Sequence, residues 1–260
     1  MDETIDVECA DGVARVTMTR PDHHNSLNRE MADELAEAVP ELVEDDDVRA
    51  IVLTGTGNVF NTGADLTTLE GDPTDARRLR KLASRLHQTI RHLASASNPV
   101  VTGVNGVAAG AGFGLALSGD AVLVHEDARF EFAYPAIGLS GDGGATFFLP
   151  RLVGLRRAME ITLLNEPIAA EQAVEDGLAT EVVPGDEFDD RLAEVAADLA
   201  DGPTKAYAAI KRLLTKSYGR DLGAQLTAET DALARLATTD DYVYGHEAFF
   251  SDSEPTFRGQ

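Results

Sequence analysis

Residues 104–120, VNGVAAGAGFGLALSGD, connect a predicted buried strand to a predicted helix through a turn that is rich in glycine. A second strand ends in a similar turn at 60–66, FNTGADL. Glycine lets the backbone approach a ligand closely, and a turn that runs into a helix leaves N–H groups unsatisfied. Two such turns could converge on one oxygen as an oxyanion hole. Tight connections without a ligand are the alternative.

Strands and helices alternate on both sides of these turns. The opening segment VECADGVARVTMT alternates about an Asp-Gly turn at 11–12 and predicts a β-hairpin. Asn28 is a predicted helix cap, and Pro40 predicts a kink or a break near the end of that helix. Beyond residue 186 the apolar spacing is only helical. The sequence therefore predicts an α/β core at 1–186 and a helical segment at 187–260.

A further predicted helix begins at Asp72-Pro73 and carries leucine and isoleucine on one face through to about Ala96. Its other face holds the densest basic cluster in the chain: Arg77, Arg78, Arg80, Lys81, Arg85 and Arg91. A solvated face that pairs with nearby acids is the default interpretation. A contact with substrate phosphates is the alternative.

The composition is strongly acidic. Asp and Glu number 45 against 22 Lys and Arg, which gives a formal net charge of −23. Such a surface repels phosphate backbones and disfavours nucleic-acid binding. Self-repulsion of this size is screened by salt, so we expect a high-salt cytoplasm. No apolar run approaches the length of a membrane span, and the acidic opening residues do not resemble a secretory signal.

Several other motifs are absent. The glycines at 110–114 are spaced G-x-G-x-G without a following Gly-Lys-Ser/Thr, so neither a Walker loop nor a dinucleotide fingerprint is present. GLSGD around Ser140 lacks the second glycine of a nucleophile elbow. The six histidines form no helical i,i+4 pair, so no metal site is predicted. The lone Cys9 is expected to be a small buried side chain.

Four segments in register resemble the crotonase (enoyl-CoA hydratase/isomerase) superfamily. They are RPDHHNSLN at 20–28, GTGNVFNTGADL at 55–66, NGVAAGAGFGLALSGD at 105–120, and the run from Ile137 to Pro184. The resemblance implies a spiral of ββα turns with a C-terminal helical trimerisation segment, assembled as a homotrimer or a dimer of trimers. It also implies an acyl-CoA thioester substrate, with no cofactor beyond its CoA moiety and no metal.

The resemblance also assigns roles to particular residues. The backbone N–H groups of Ala64, after Gly63, and Ala111, after Gly110, match the family's oxyanion donors, which hold the thioester oxygen and its enolate.

The resemblance implies contacts with CoA from two segments, 26–27 and 65–66. Ser26 and Leu27 match the segment that meets the adenine, and Asp65 and Leu66 match the entrance. Many relatives supply a C-terminal lysine to CoA in a neighbouring subunit, but this chain has FFSDSEP there. The basic helix or Arg258 is the alternative source of phosphate contacts.

The expected carboxylates of a hydratase are missing. The two positions that hold glutamate in typical hydratases are Gly114 and Tyr134 here. Adding water to a double bond needs acid/base groups that hold and activate the water. Asp142, in SGDGG before FFLP, offers a different carboxylate that would be partly desolvated and hence more basic. A turn or capping role is the alternative for an Asp beside glycine.

An aspartate at this place has precedents in the superfamily. The 1,2-epoxyphenylacetyl-CoA isomerases of phenylacetate degradation use it as an acid/base, and the 4-chlorobenzoyl-CoA dehalogenases use it as a nucleophile. We therefore expect an isomerase in which Asp142 removes a proton beside the thioester and returns it elsewhere. One alternative is a hydratase with an unusual set of acid/base groups. Another is a dehalogenase, which needs aromatic and His partners around the ring. Tyr134 and Phe113 are candidates for the pocket wall, with core packing as the default for Phe113.

Overall fold

The computed structural model describes residues 3–260, in which ten strands form two sheets. The large sheet has the order β1-β2-β3-β5-β7-β10 and the small sheet the order β4-β6-β8-β9. The strands are β1 (Ile5–Ala10), β2 (Val13–Met18), β3 (Ala50–Gly55), β4 (Val59–Asn61), β5 (Val100–Val104), β6 (Val107–Ala109), β7 (Ala121–His125), β8 (Arg129–Glu131), β9 (Ile168–Ala169) and β10 (Glu181–Val183). Only the pairs β1/β2 and β8/β9 are antiparallel among these strands.

Ten α-helices cover the sheets and continue past them. They are α1 (Arg29–Glu44), α2 (Asp75–Ser95), α3 (Ala111–Ala116), α4 (Ala145–Leu152), α5 (Gly154–Leu164), α6 (Ala170–Glu175), α7 (Phe188–Asp201), α8 (Thr204–Ser217), α9 (Leu222–Leu236) and α10 (Asp240–Ser251) within residues 3–260. The predicted α/β architecture with helices at the C-terminus is confirmed.

The N-terminal hairpin and the cap of α1 form as predicted, whereas Cys9 is not buried. The hairpin turn at 11–12 is confirmed, with Ala10 opposite Val13. Cys9, expected to be buried, is exposed, because β1 is the edge strand and only its first residue is buried. The Asn28 side chain caps α1 by accepting from the Met31 N–H at 2.9 Å.

Pro40 does not end α1, which continues to Glu44. Proline has no N–H to donate to the carbonyl four residues earlier. That carbonyl belongs to Ala36, and it accepts a hydrogen bond of 3.3 Å from the Gln88 side chain of α2. The packed neighbouring helix therefore satisfies the group that the proline leaves unpaired, so the predicted break does not occur.

The small sheet brings the two glycine-rich turns together. Its strands β4 and β6 pair in parallel, and β4 leads into the turn at Gly63 while β6 leads into the turn at Gly110. The carboxyl ends of parallel neighbours lie at one edge of a sheet. The sheet thus places both turns at the same edge.

Two apolar clusters hold this arrangement. The larger lies between α1, α2 and the sheets and includes the fully buried Phe60, Phe113 and Phe130. Phe113 and Phe130 meet edge to face with centroids 5.6 Å apart, so Phe113 packs in the core as its default interpretation predicted. The smaller cluster lies where α7 covers the other face of the large sheet.

Helices α8 to α10 leave large apolar side chains exposed. Leu214 is 65% exposed, Leu222 and Leu233 are each 73% exposed, and Phe249 is 81% exposed. The helix α8 is joined to the core by Lys211, whose ammonium group pairs with Asp120. The division of the chain at residue 186 stays a prediction.

Candidate active site

The two glycine-rich turns lie directly against each other. Gly63 has φ +82°, and a Cβ built on it would lie 2.9 Å from the Ala111 nitrogen and 3.1 Å from the Ala109 oxygen. Gly110 also has a positive φ, +55°. These are conformations that glycine adopts without steric cost. The close approach that glycine predicted in the sequence is therefore present in the fold.

The N–H groups of Ala64 and Ala111 have no hydrogen-bond acceptor in the part of the chain that the structure describes. Leu27 donates to the Gly63 oxygen at 2.7 Å, and Asp65 donates to the Leu27 oxygen at 2.9 Å. Because successive N–H groups of an extended chain point to opposite sides, the Ala64 N–H points away from Leu27. Ala111 is the first residue of α3 and has no intrahelical acceptor. Within residues 3–260, neither N–H donates to a protein atom.

A pocket of 550 Å³ opens beside these two N–H groups. Ala64 and Ala111 lie on one side of it, and Tyr134 and Asp142 line it as well. Leucine side chains of α2, among them Leu82 and Leu86, supply an apolar wall. The structure therefore brings the two predicted donors and the predicted carboxylate into one pocket.

Asp142 lies in the loop between Gly138 and the start of α4. Its side chain is 31% exposed, and its Oδ1 contacts Nε2 of His87 on α2. Gly144 occupies the cap position of α4, and no side chain makes a capping hydrogen bond there. Among the described residues, His87 is the hydrogen-bond partner of this carboxylate. The capping alternative for Asp142 is not observed.

The Asp142 loop occupies the space that a side chain at position 114 would need. A Cβ on Gly114 would lie 2.1 Å from the Gly143 oxygen and 2.6 Å from the Gly143 carbonyl carbon. Gly143 itself has φ +59° and packs over Ala111. The Asp142 loop can therefore occupy this position only because residue 114 is glycine.

Tyr134, at the second glutamate position of typical hydratases, carries an unusual hydroxyl. That hydroxyl is buried and makes no hydrogen bond of acceptable geometry within residues 3–260. Burial raises the pKa of Tyr134 well above its ordinary value, the charge of Asp142 raises it further, and the nearby Asp142 N–H offsets this only in part. Tyr134 is therefore a neutral group that can donate a hydrogen bond at physiological pH.

Four more of the predicted residues line the pocket, namely Gly63, Gly110, Leu27 and Leu66. Leu66 is 48% exposed, which suits the predicted entrance.

Ser26 and Asp65 lie outside the pocket lining. Both are buried, and Arg20 donates to the Ser26 oxygen and pairs with Asp65 at 3.1 Å. Burial alone would raise the pKa of Asp65, but hydrogen bonds from Thr67 and Arg20 outweigh it and hold that pKa below its ordinary value. Asp65 therefore supports the turn from behind.

His87 was missed in the sequence. It belongs to α2, where the spacing predicts only an apolar face and a basic face. Its contact with Asp142 joins residues 55 positions apart, and no local pattern indicates such a contact.

A larger cleft of 1040 Å³ lies elsewhere and contains none of Ala64, Ala111 and Asp142. The chemistry of the smaller pocket, rather than size, therefore identifies the candidate site. No group of three or more potential metal ligands is found among residues 3–260. In the same part of the chain, no helix has the length and apolar character needed to cross a membrane.

Comparison with known proteins supports this assignment. Residues 8–260 match the family model described as enoyl-CoA hydratase/isomerase. The chain is 38% identical to 1,2-epoxyphenylacetyl-CoA isomerase of Escherichia coli strain K12, over 96% of each protein. It is 37% identical to 4-chlorobenzoyl coenzyme A dehalogenase-2 of an Arthrobacter species, over 85% of this chain and 81% of the relative.

A crystal structure of enoyl-CoA hydratase from Bacillus anthracis superposes with a TM-score of 0.93 at 28% identity, covering 99% of this chain and 100% of the other. The fold, the pocket and these similarities all indicate the same family. The protein is an acyl-CoA enzyme and belongs to the enoyl-CoA hydratase/isomerase family of the crotonase superfamily.

Proposed function

We propose that this enzyme isomerises an acyl-CoA thioester by moving a proton, with Asp142 as the acid/base. The observation that carries the proposal is that Asp142 lines the same pocket as two unpaired backbone N–H groups. The carboxylate removes a proton from the carbon beside the thioester, and the electron pair moves onto the thioester oxygen. Asp142 then returns the proton to another carbon, so that the double bond moves and no atom is gained or lost.

The Ala64 and Ala111 N–H groups supply the stabilisation that this step needs. A proton beside a thioester is a weak acid, and its removal places negative charge on the carbonyl oxygen. Two fixed donors at that oxygen stabilise the charge without reorganisation, and each such donor typically contributes about a hundredfold or more in rate. The apolar wall from α2 excludes water and strengthens both hydrogen bonds.

Hydration is less well supported by this pocket. Asp142 is the one acidic residue among the described residues that line it, and Gly114 has no space for a glutamate. A single carboxylate suffices for a proton shuttle, because the same group that accepts the proton donates it back.

His87 favours a second candidate, dehalogenation of an aryl-CoA. In this mechanism the Asp142 carboxylate attacks the ring carbon that bears the halogen, and halide leaves. His87 then takes a proton from the water that hydrolyses the resulting ester, which regenerates Asp142. The contact between His87 and Asp142 supplies the His partner that such chemistry requires.

The wider setting is also part of the proposal. CoA binds beside Ser26 and Leu27 and enters past Leu66, whereas the buried Asp65, which was expected at the entrance, holds the turn in place through Arg20. The apolar side chains that α8 to α10 expose become buried in a homotrimer or a dimer of trimers. The enzyme works in a cytoplasm in which salt screens its net charge of −23.

A substrate panel distinguishes the two candidates. The wild type and His87→Gln are incubated in molar KCl with 3-enoyl-CoA, trans-2-enoyl-CoA and 4-chlorobenzoyl-CoA, and products are followed by mass, absorbance and halide release. An isomerase converts 3-enoyl-CoA without a change in mass, and His87→Gln retains that conversion. Halide release that His87→Gln abolishes would establish the second candidate instead. Addition of water to trans-2-enoyl-CoA as the dominant reaction would contradict both.

A further inference from the structure

A second pocket, of 520 Å³, lies between α1 and α2 next to the candidate active site. The two pockets share Ala64, Leu79 and Leu82. Ala64 carries one of the two free N–H groups, so a ligand held there can reach the second pocket past two leucine side chains. Leu79 and Leu82 are the apolar wall that the two pockets share, and six charged side chains also line the second pocket.

Cations outnumber acids in that second pocket. Its charged lining consists of Arg29, Arg78, Lys81, Arg85, Asp33 and Asp65. Four positive and two negative side chains give a local excess of positive charge, against −23 for the whole chain. An acidic protein that concentrates cations at one concave place creates a local field that attracts anions.

Arg78 is paired with Glu70 at 3.2 Å and with Asp75 at 3.1 Å, so the positive charge available to a ligand lies with the other three cations. Asp65 is already paired with Arg20, outside this pocket. Asp33 is shared between Arg29 at 3.4 Å and Arg85 at 2.7 Å. Among residues 3–260, Lys81 has no ion-pair partner. Pairing with neighbouring acids, the default interpretation of the sequence, therefore accounts for Arg29, Arg78 and Arg85 but not for Lys81.

We infer that the pocket between α1 and α2 binds an anionic group of the acyl-CoA, with Lys81 and Arg85 as its principal contacts. The inference rests on the proposed acyl-CoA function and adds a substrate class to it. Carboxylate and phosphate oxygens are both suited to these side chains. The apolar side chains of Leu79 and Leu82, which both pockets share, favour a carboxylate at the far end of the acyl group over a phosphate of CoA.

Calorimetric titration of the full chain tests this inference. The ligands are adipyl-CoA and hexanoyl-CoA, which have the same chain length and differ by a terminal carboxylate, and adenosine 3′,5′-bisphosphate. The variants are Lys81→Gln, which removes a cation, and Asp33→Asn, which removes the competing acid. Arg77→Gln is the matched control, because Arg77 is exposed on the same helix and lines neither pocket.

A distal carboxylate predicts that Lys81→Gln weakens adipyl-CoA binding by about fivefold and leaves hexanoyl-CoA unchanged, since a partly exposed ion pair is worth up to about 1 kcal/mol. Asp33→Asn then tightens adipyl-CoA binding. Equal weakening of all three ligands by Lys81→Gln would identify a CoA phosphate as the bound anion and would overturn the carboxylate site.

Unchanged affinities in both variants, with normal binding of acyl-CoA by the wild type, would overturn the anion site and leave the proposed function intact. Failure of the wild type to bind any of the ligands would overturn both.

Discussion

Replacing Gly114 by alanine tests whether the Asp142 loop is held in place by the absence of a side chain on α3. The added Cβ would lie 2.1 Å from the Gly143 oxygen, whereas ordinary contacts begin at 3.4 Å. Restoring ordinary contact therefore requires a shift of 1.3 Å, the difference between these two distances. The contact is with backbone, so rotation of a side chain cannot relieve it.

The magnitude follows from two opposing effects. Alanine gains roughly 0.5–1 kcal/mol over glycine within a helix, and overpacking costs roughly 1–3 kcal/mol. The expected net loss in the free energy of unfolding is therefore about 1–2 kcal/mol. Activity suffers more, because Asp142 is next to Gly143 and a displacement of about 1 Å at a reacting group can cost about a hundredfold in rate.

The assay measures kcat for 3-enoyl-CoA isomerisation and the urea unfolding midpoint of the same preparations. Gly223→Ala is the matched control: Gly223 lies in the exposed first turn of α9, where a Cβ would meet only Asp221 Oδ1 at 3.4 Å. The control should keep wild-type kcat and be as stable as the wild type or more stable by up to about 1 kcal/mol, because alanine is favoured over glycine in an exposed helix. A Gly114→Ala variant with wild-type kcat and midpoint would refute the account of the Asp142 loop.

Three further predictions concern the turns and their support. Gly63→Ala should lower kcat by about a hundredfold with an unchanged circular dichroism spectrum, since its Cβ would crowd the Ala111 N–H; an active variant would contradict the oxyanion site. Tyr134→Phe should be as stable as the wild type at pH 7 and should lose less stability above about pH 10. The raised pKa of Tyr134 keeps the folded phenol protonated where the unfolded chain releases its proton, so the wild type loses stability there. Urea unfolding midpoints measured against pH test this. Asp65→Asn should be less stable than the wild type at pH 7 but should lose less stability below about pH 4. The lowered pKa of Asp65 contributes stability to the wild type that is lost as the carboxylate is protonated. Equal acid dependence in both proteins would contradict the pairing with Arg20.

The elements that the sequence predicted best are those with long, regular apolar spacing. The apolar face of α2, from Leu79 to Leu93, appears where it was predicted, and β3 and β5 follow from short β-branched runs. The first residues of α4 carry no such spacing, because the glycine-rich turn around Asp142 precedes them directly. Local spacing therefore carried most of the fold.

The short strands β6, β8 and β9 were missed because each has only two or three residues and takes its stability from partners far away in the sequence. Cys9 shows the same limit, since its exposure depends on β1 lying at the sheet edge. These features are set by pairing between distant segments.

The candidate site was predictable to the extent that it depends on turns. Glycines at 63 and 110 indicated close backbone approach, and the resemblance assigned the donors. The contact between His87 and Asp142 depends instead on how α2 packs against the loop before α4, so the spacing in the sequence does not indicate it. The orphan hydroxyl of Tyr134 was equally hidden, because burial of a polar atom is a property of the packed structure.

Transfer of an isotopic label shows whether Asp142 itself carries the proton. A 3-enoyl-CoA deuterated beside the thioester is converted by the wild type and by Asp142→Asn, with Arg77→Gln as the control, and the position of deuterium in the product is read by mass and NMR. The account predicts that the wild type and the control deliver part of the deuterium to the new position, and that Asp142→Asn forms no product above background. Conversion by Asp142→Asn at the wild-type rate would contradict the account and place the acid/base elsewhere in the pocket.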